Sequence, residues 1–394
     1  AKLTVEGRNG VRGYGVPALE ITVFEYPRDG VGNREQEALL LEYGMLAANA
    51  LELTHHVGNV DAGSEGQRNE PPDGLGLGGH GMPGLADGRE NLERLAVHLV
   101  HRTIHAAEAG LHVVCEKPLC FTSEQADKLV KLAEEKHRVV GVTYGYSGHQ
   151  LIQQARQMIK NGDLGEIRVI NMSFAFGGYN FKIEDKVPSA KWRFDPSKAG
   201  PSFALGDVGT HPLFIIEAMI PDMKIDNLMC TKRSFVEGRE LEDNAFVIMN
   251  LKGSENVQAG AQVYCWASSI NSGARHYHKI RVVGSKASLE WDDERPNQML
   301  SDIEGEPSRV LARGAGYLPD EARVEDRLGG GHAEGLFEAW SNLYARFAVA
   351  MAEADKGAYG DFWYPDVKAG AQGIKWIEKC VESADKGSAW VDYE

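Results

Sequence analysis

No apolar run in this 394-residue chain approaches the roughly 20 residues that a membrane-spanning helix needs, so a spanning helix is excluded. A basic excess is missing as well. Lys and Arg total 42 against 57 Asp and Glu, a net charge of −15, which argues against nucleic acid as the main partner because a phosphate-binding surface needs positive charge. Cysteine is sparse: Cys115, Cys120, Cys230, Cys265 and Cys380 are scattered, odd in number and lack zinc-knuckle or redox spacing. That pattern suits reduced thiols in a cytoplasmic protein. The opening "AKLTVEGRNG" lacks the basic-then-apolar layout of a signal peptide. Neither an internal repeat nor a low-complexity tail is present. Histidine-rich pieces, "LTHHVG" and the run holding His98, His101 and His105, have no cysteine or carboxylate at metal-ligand spacing, so no metal site is expected.

What is present is a soluble globular composition, 43% apolar and 25% charged, in a chain long enough for two domains. "AKLTVEGRNGVRGYG" at the start has the order of a strand and a glycine turn. "EITVFEY" (20–26) has strand composition, and 34–53 has helical composition. Residues 61–88 are dense in glycine and proline and fit no regular element. Beyond residue 96 the pattern sharpens: a helix ending at Gly110, a strand at 112–115, a helix from 123 with Thr122 as N-cap and Gln125 three residues on, and a strand at 138–146. The apolar stripe of that second helix is Ala126, Leu129, Val130 and Ala133. Helix and strand alternating at this spacing predict a parallel, doubly wound sheet. After residue 150 an amphipathic helix closed by Gly162 is followed by consecutive strand-like runs, among them "NAFVIMNL" (244–251) and "HKIRVVG" (278–284), and two helical stretches at 333–354 and 366–384 end the chain. This predicts a largely antiparallel sheet with one face free for a partner subunit. The expected division is 1–146 for a dinucleotide-binding domain and 147–394 for a substrate-binding and oligomerisation domain.

Five places hold side chains suited to chemistry. "HVVCEKPLC" ends a buried strand in Glu116, Lys117 and Pro118. "GDVGTH" sets Asp207 and His211 four residues apart, on one face if a helix begins there. A carboxylate beside an imidazole is a proton-transfer unit, and equally an N-capping aspartate beside a core histidine. "AKWRFDPSKAG" offers Trp192 and Arg193, either a wall and an anion clamp or a buried plug and a surface ion pair. Tyr144, Tyr146 and His149 follow a predicted parallel strand, where open α/β sheets collect ligand contacts. "GGGHAEG" places His332 and Glu334 in a loop before a helix.

The order of these motifs, "AGLHVVCEKPL", "GDLGEIRVI", "WRFDP", "GDVGTH" and "GGHAEG", resembles the Gfo/Idh/MocA family of NAD(P)-dependent oxidoreductases, which act on sugars and cyclitols. The resemblance runs from about residue 104 to the end. It implies an N-terminal Rossmann domain and a C-terminal α/β domain with a large, mostly antiparallel open sheet that packs in homodimers or homotetramers. It also implies a catalytic group of Lys117, Asp207 and His211. Glu116, Lys117 and Pro118 would border the nicotinamide ribose, and Tyr146, His149, Trp192, Arg193 and His332 would line the substrate pocket. His211 would remove the hydroxyl proton of a secondary alcohol, Lys117 would offset alkoxide charge, and Asp207 would orient or support the pair.

The cofactor implied is NAD or NADP, with NAD preferred, and the substrate a sugar, glycoside or inositol. The glycine fingerprint departs from Gly-x-Gly-x-x-Gly: "EGRNGVRGYG" supplies Gly7, Gly10 and Gly13, with Glu25 as the candidate for the ribose diol. Two other readings share the same residues. One is a non-catalytic relative that senses a dinucleotide or sugar; the other is an isomerase or lyase using NAD transiently.

Overall fold

The computed structural model describes residues 3–4, 20–21, 100–360 and 362–394. The chain divides into two compact units, 1–29 with 97–394, and 30–96, and all the described residues belong to the first. Strands β1 (Leu3–Thr4) and β2 (Glu20–Ile21) pair antiparallel with each other. Helix α1 (100–108) ends in a glycine stop: Gly110 has φ +76°, and Leu111 N–H donates to Ala106 O at 3.0 Å. Strand β3 (Val113–Cys115), helix α2 (Ser123–Lys136) and strand β4 (Val140–Val142) then form the expected parallel unit, with Val113 to Cys115 opposite Val140 to Val142. Thr122 caps α2 by accepting from Gln125 N–H at 3.3 Å, and the Gln125 side chain reaches back to Phe121 N–H at 3.0 Å. Ala126, Leu129 and Ala133 are buried, as the stripe predicts.

A short turn at Gly145–Gly148 leads into α3 (Gln150–Lys160) and β5 (Ile167–Ala175). Residues 176–203 are irregular, with a 3₁₀ turn at Pro188–Phe194. A π turn at Leu205–Gly209 runs directly into α4 (Thr210–Met219). Next come β6 (Ile225–Arg233), β7 (Asn244–Leu251), β8 (Val257–Ser268), β9 (His278–Gly284), β10 (Ala287–Asp292), β11 (Gln298–Ile303) and β12 (Arg309–Ala312). Helices α5 (Leu336–Asp355) and α6 (Val367–Asp385) and the short β13 (Val391–Asp392) end the chain. The strands from β5 onward form one nine-stranded sheet, ordered β12-β11-β10-β9-β5-β8-β7-β6-β13. Every pairing in it is antiparallel except β5 with β8.

Period-two alternation separates the faces of this sheet. On β7, Ala245, Val247, Met249 and Leu251 are buried, and on β8, Ala261, Val263, Cys265 and Ala267. Helices α4 and α6 cover that face. Trp376 of α6 is fully buried, donates to the Met249 sulfur and lies where any side chain at Gly209 would press against it. The opposite face carries Phe246, Tyr264 and Tyr277, all exposed, with Phe246 stacked on Trp266 at 5.8 Å. Helix α5 approaches the turn after β4 so closely that a Cβ on Gly148 would lie 1.9 Å from Ala339 O. Asn342 Nδ2 donates to Gly148 O at 2.9 Å across the same contact.

Two expectations about stability follow from this packing. Gly148→Ala drives a methyl into a backbone carbonyl, so its melting transition is expected to fall by about 1–3 kcal/mol of stability in denaturant unfolding. A wild-type midpoint would refute the contact. His278 is fully buried, stacked on Phe174 at 4.6 Å, and neither ring nitrogen has a hydrogen-bond partner. Burial pushes its imidazole down to about 3, against the pull of Asp293. The unfolded chain therefore takes up this proton first: the stability is fully present above the ordinary 6.5 and is lost as the pH falls below it. Between about pH 7 and pH 5 this amounts to about 2 kcal/mol. His278→Leu is expected to flatten the pH dependence of unfolding by that amount; an unchanged slope would show that His278 ionises freely.

Candidate active site

Lys117 follows the end of β3, and the peptide to Pro118 is cis. Its Nζ donates to Asp207 Oδ1 at 3.1 Å and to the Asp207 carbonyl at 2.5 Å. Arg193, in the 3₁₀ turn, takes the other carboxylate oxygen, with Nε 3.5 Å from Oδ2, and its guanidinium lies 4.5 Å over the Trp192 ring. Asp207 is thus held between two cations. Burial pushes its carboxyl up, but Lys117 and then Arg193 outweigh that effect and hold it below the usual carboxylate value.

The segment that carries Arg193 is fixed by a buried clasp. Arg239 donates to both carboxylate oxygens of Glu184 at 3.1 Å, to Tyr179 O and to Phe181 O, and lies 4.0 Å over the Phe194 ring. Ala190, Phe194, Phe203 and Leu241 pack as a small separate core beneath it. Such a charge cluster is tolerable only because every member is paired.

His211 lies in the first turn of α4. Its ring is 9% exposed and sits among Tyr146 at 5.0 Å, Phe174 at 5.8 Å and Tyr144 at 6.3 Å. The expected imidazole–carboxylate hydrogen bond to Asp207 is absent: Nδ1 has no partner, because the carboxylate is turned to Lys117 and Arg193. The N-cap reading of Asp207 is corrected as well, since Gly209 caps α4 without a side-chain bond. Burial, then the Lys117 charge, then His278 and His276 hold His211 well below the ordinary histidine value. The result is a neutral imidazole beside a fixed ammonium group. That arrangement can accept a proton from a hydroxyl while the cation steadies the oxygen left behind.

The other predicted residues divide. Tyr146 borders His211, whereas Tyr144 is buried and stacked on Phe214 at 4.4 Å, which makes it core. His149 is buried against Trp291, and its Nε2 lies 3.6 Å from Asp293 Oδ1. His332 is exposed; its carbonyl accepts from Arg313, while its ring makes no hydrogen bond or ring contact among the described residues. Glu334 of the same motif is buried and accepts from Arg313 at 2.8 Å and from the N–H groups of Arg327 and Leu328. Gly7, Gly10, Gly13 and Glu25 lie outside the described residues. No metal-holding group occurs among the described residues, His101 and His105 included. Phe174, His276, His278 and Asp293 also belong to the pocket region. "HYH" at 276–278 signals them: alternate histidines entering a strand share one face.

The ends of β3 and β4 suit the nicotinamide end of a dinucleotide. Glu116, Lys117 and the loop from Thr143 to Tyr146 meet there, at the carboxyl ends of parallel strands. Burial pushes the Glu116 carboxyl up despite the neighbouring Lys117, which marks a desolvated polar rim.

Comparison with known proteins agrees with this architecture. Residues 156–393 match the oxidoreductase family, C-terminal alpha/beta domain, and residues 100–144 match the oxidoreductase family, NAD-binding Rossmann fold. An uncharacterized oxidoreductase of Bacillus subtilis, YfiI, is 46% identical over 294 residues, 73% of each chain. A crystal structure of an inositol dehydrogenase homolog from Azotobacter vinelandii with NAD+ is 54% identical, with a TM-score of 0.72 over 75% of both chains. The same homolog with NADH and myo-inositol gives 53% and 0.69, again over 75% of both chains. The chain therefore belongs to the Gfo/Idh/MocA oxidoreductases, with an NAD-binding Rossmann fold and a C-terminal α/β domain built on a large, mostly antiparallel sheet.

Proposed function

We propose that this protein is a dehydrogenase that oxidises a secondary hydroxyl of a cyclitol or sugar, with NAD as the hydride acceptor. The observation that carries the proposal is the Lys117 ammonium bound to Asp207 beside a neutral, aromatic-walled His211. In this reading Lys117, Asp207 and His211 are the catalytic group. His211 accepts the hydroxyl proton on Nε2, since Nδ1 is sealed in the interior. Lys117 offsets the developing charge on the substrate oxygen, and Asp207, pinned by Arg193, keeps the ammonium in place. Glu116, Lys117 and Pro118 border the nicotinamide ribose. When bound, the nicotinamide supplies the hydride acceptor, a function outside the side-chain repertoire.

Tyr146, Trp192 and Arg193 form the substrate wall. The preference for NAD and for an inositol-like substrate is supported by the homolog that binds NAD+ and, in a second structure, NADH and myo-inositol. We place the domain boundary at 146/147 and assign oligomerisation to the open sheet face, where Phe246, Tyr264 and Tyr277 lie exposed. Five free, buried thiols support a cytoplasmic setting.

The test is a panel of cyclitols and sugars with NAD+ or NADP+, followed by nicotinamide absorbance. Turnover of at least one polyol with NAD+ is expected; inertness to the whole panel would overturn the reading. On the best substrate, His211→Ala and Lys117→Ala are each expected to lower kcat by about 100- to 10,000-fold with the fold intact by circular dichroism. Near wild-type turnover in either removes the mechanism. The pH dependence carries a sign. Because His211 is held below 6.5, its proton-accepting form persists as the pH falls through that value. The acid limb of kcat/KM is therefore expected below about 6.5, the ordinary histidine value, and a limb centred at or above it would exclude His211 as the base.

A further inference from the structure

An imidazole–carboxylate unit stands beside the aromatic residues that wall His211. His276 Nδ1 lies 2.7 Å from Asp293 Oδ2, while the other Asp293 oxygen faces His149 Nε2 at 3.6 Å. Asp293 is 10% exposed and its N–H donates to His278 O, so its position is fixed from three sides. The His276 ring, by contrast, is 43% exposed. His276 and His211 share two aromatic neighbours. Phe174 lies 5.4 Å from His276 and 5.8 Å from His211; Tyr146 lies 6.3 Å and 5.0 Å away. Both imidazoles therefore border the same aromatic floor, one enclosed and the other open.

We infer that His276 is a substrate-binding residue that reads a hydroxyl away from the reacting carbon, and that Asp293 is its positioning residue. The inference rests on the polyol dehydrogenase reading above. With Nδ1–H committed to Asp293, the Nε2 atom is left to the pocket, as an acceptor in the neutral ring and a donor in the cation. Either state pairs with a hydroxyl, which both donates and accepts. A polyol carries hydroxyls of nearly equal reactivity on successive carbons, so selecting one for His211 requires a fixed polar contact to another. A site built to bond a hydroxyl discriminates strongly against the analogue that lacks it, because its own polar group is then left unpaired. A merely structural ion pair would hold the fold equally well with the ring turned inward, like that of His149.

The experiment compares wild type, His276→Ala, His276→Gln and Asp293→Asn, using NAD+ with myo-inositol, its monodeoxy analogues and the sugar panel. His276→Ala is expected to raise KM for the best polyol at least tenfold, about 1.4 kcal/mol, with a smaller effect on kcat and none on KM for NAD+. One monodeoxy analogue should show the same KM in wild type and variant, which identifies the hydroxyl that His276 contacts. Asp293→Asn should raise KM in the same direction, and the double variant should add nothing to His276→Ala. His276→Gln, which retains a polar side chain, serves if the alanine variant does not fold, and should shift the preference among analogues. An active wild type whose KM and analogue order are unmoved in these variants overturns the inference alone. A fall in kcat with KM unmoved overturns it too. A wild type inert to every polyol overturns the dehydrogenase reading, and this inference with it.

Discussion

The charge-assisted bond between Lys117 and Asp207 is the joint on which the site depends. It ties the end of a parallel strand, β3, to the π turn that opens α4, two elements separated by ninety positions in sequence. Both side chains are largely withdrawn from water, 14% and 25% exposed. A lone ammonium or carboxylate in that setting would be costly, and the pairing is tolerable because each group satisfies the other and Arg193 takes the remaining carboxylate oxygen. Asp207 is consequently the common counter-ion of two cations from two different segments. Its removal would take a shared counter-ion from both at once, so loss of Asp207 and loss of either cation are not equivalent perturbations.

The same joint sets the state of His211. A positive charge nearby disfavours a second one, and the aromatic floor of Tyr146 and Phe174 denies the imidazolium any solvation. His276 stands in the opposite environment. Its Asp293 contact, stronger than the burial that opposes it, raises its value above the ordinary one. Two histidines on one floor are thus driven apart electrostatically, the enclosed one neutral and the open one readily charged. Divergence of this kind divides proton-accepting from binding roles within one pocket.

How much of this was legible in the sequence depended on how local its cause was. The Thr122 cap, the Gly110 stop and the strands at 244–251 and 278–284 are written in neighbouring residues, and the structure reproduces them. Lys117 was legible only jointly with Asp207 and His211, because a lysine after a strand means little until its partner appears. The contact that forms, however, is Lys117 to Asp207 and not Asp207 to His211. Helical spacing predicts which side chains share a face but not which of them a third group will claim. The short strands β11, β12 and β13 escaped because they are held mainly by their neighbours. The parallel pairing of β5 with β8 escaped because no local pattern encodes such a register. His276 and His278 meet Phe174 through the antiparallel pairing of β5 with β9, so their role was invisible until the sheet was assembled.

Period-two alternation then links the pocket to the open face. Across β9 and the residue pair before it, His276 and His278 point toward the aromatic floor, while Tyr277 and Lys279 occupy the alternate positions, with the Lys279 ammonium 4.9 Å over the Tyr277 ring. Tyr277 also touches Trp266, which stacks on Phe246 of β7. The outward aromatic ladder and the inward histidine pair are therefore opposite sides of one strand edge. A slip of register by a single residue would exchange them, putting imidazoles on the open face and tyrosine in the pocket. In the proposed oligomer, a partner packed on the outward ladder would hold that register from outside. Subunit association would then bear on how firmly His276 is presented.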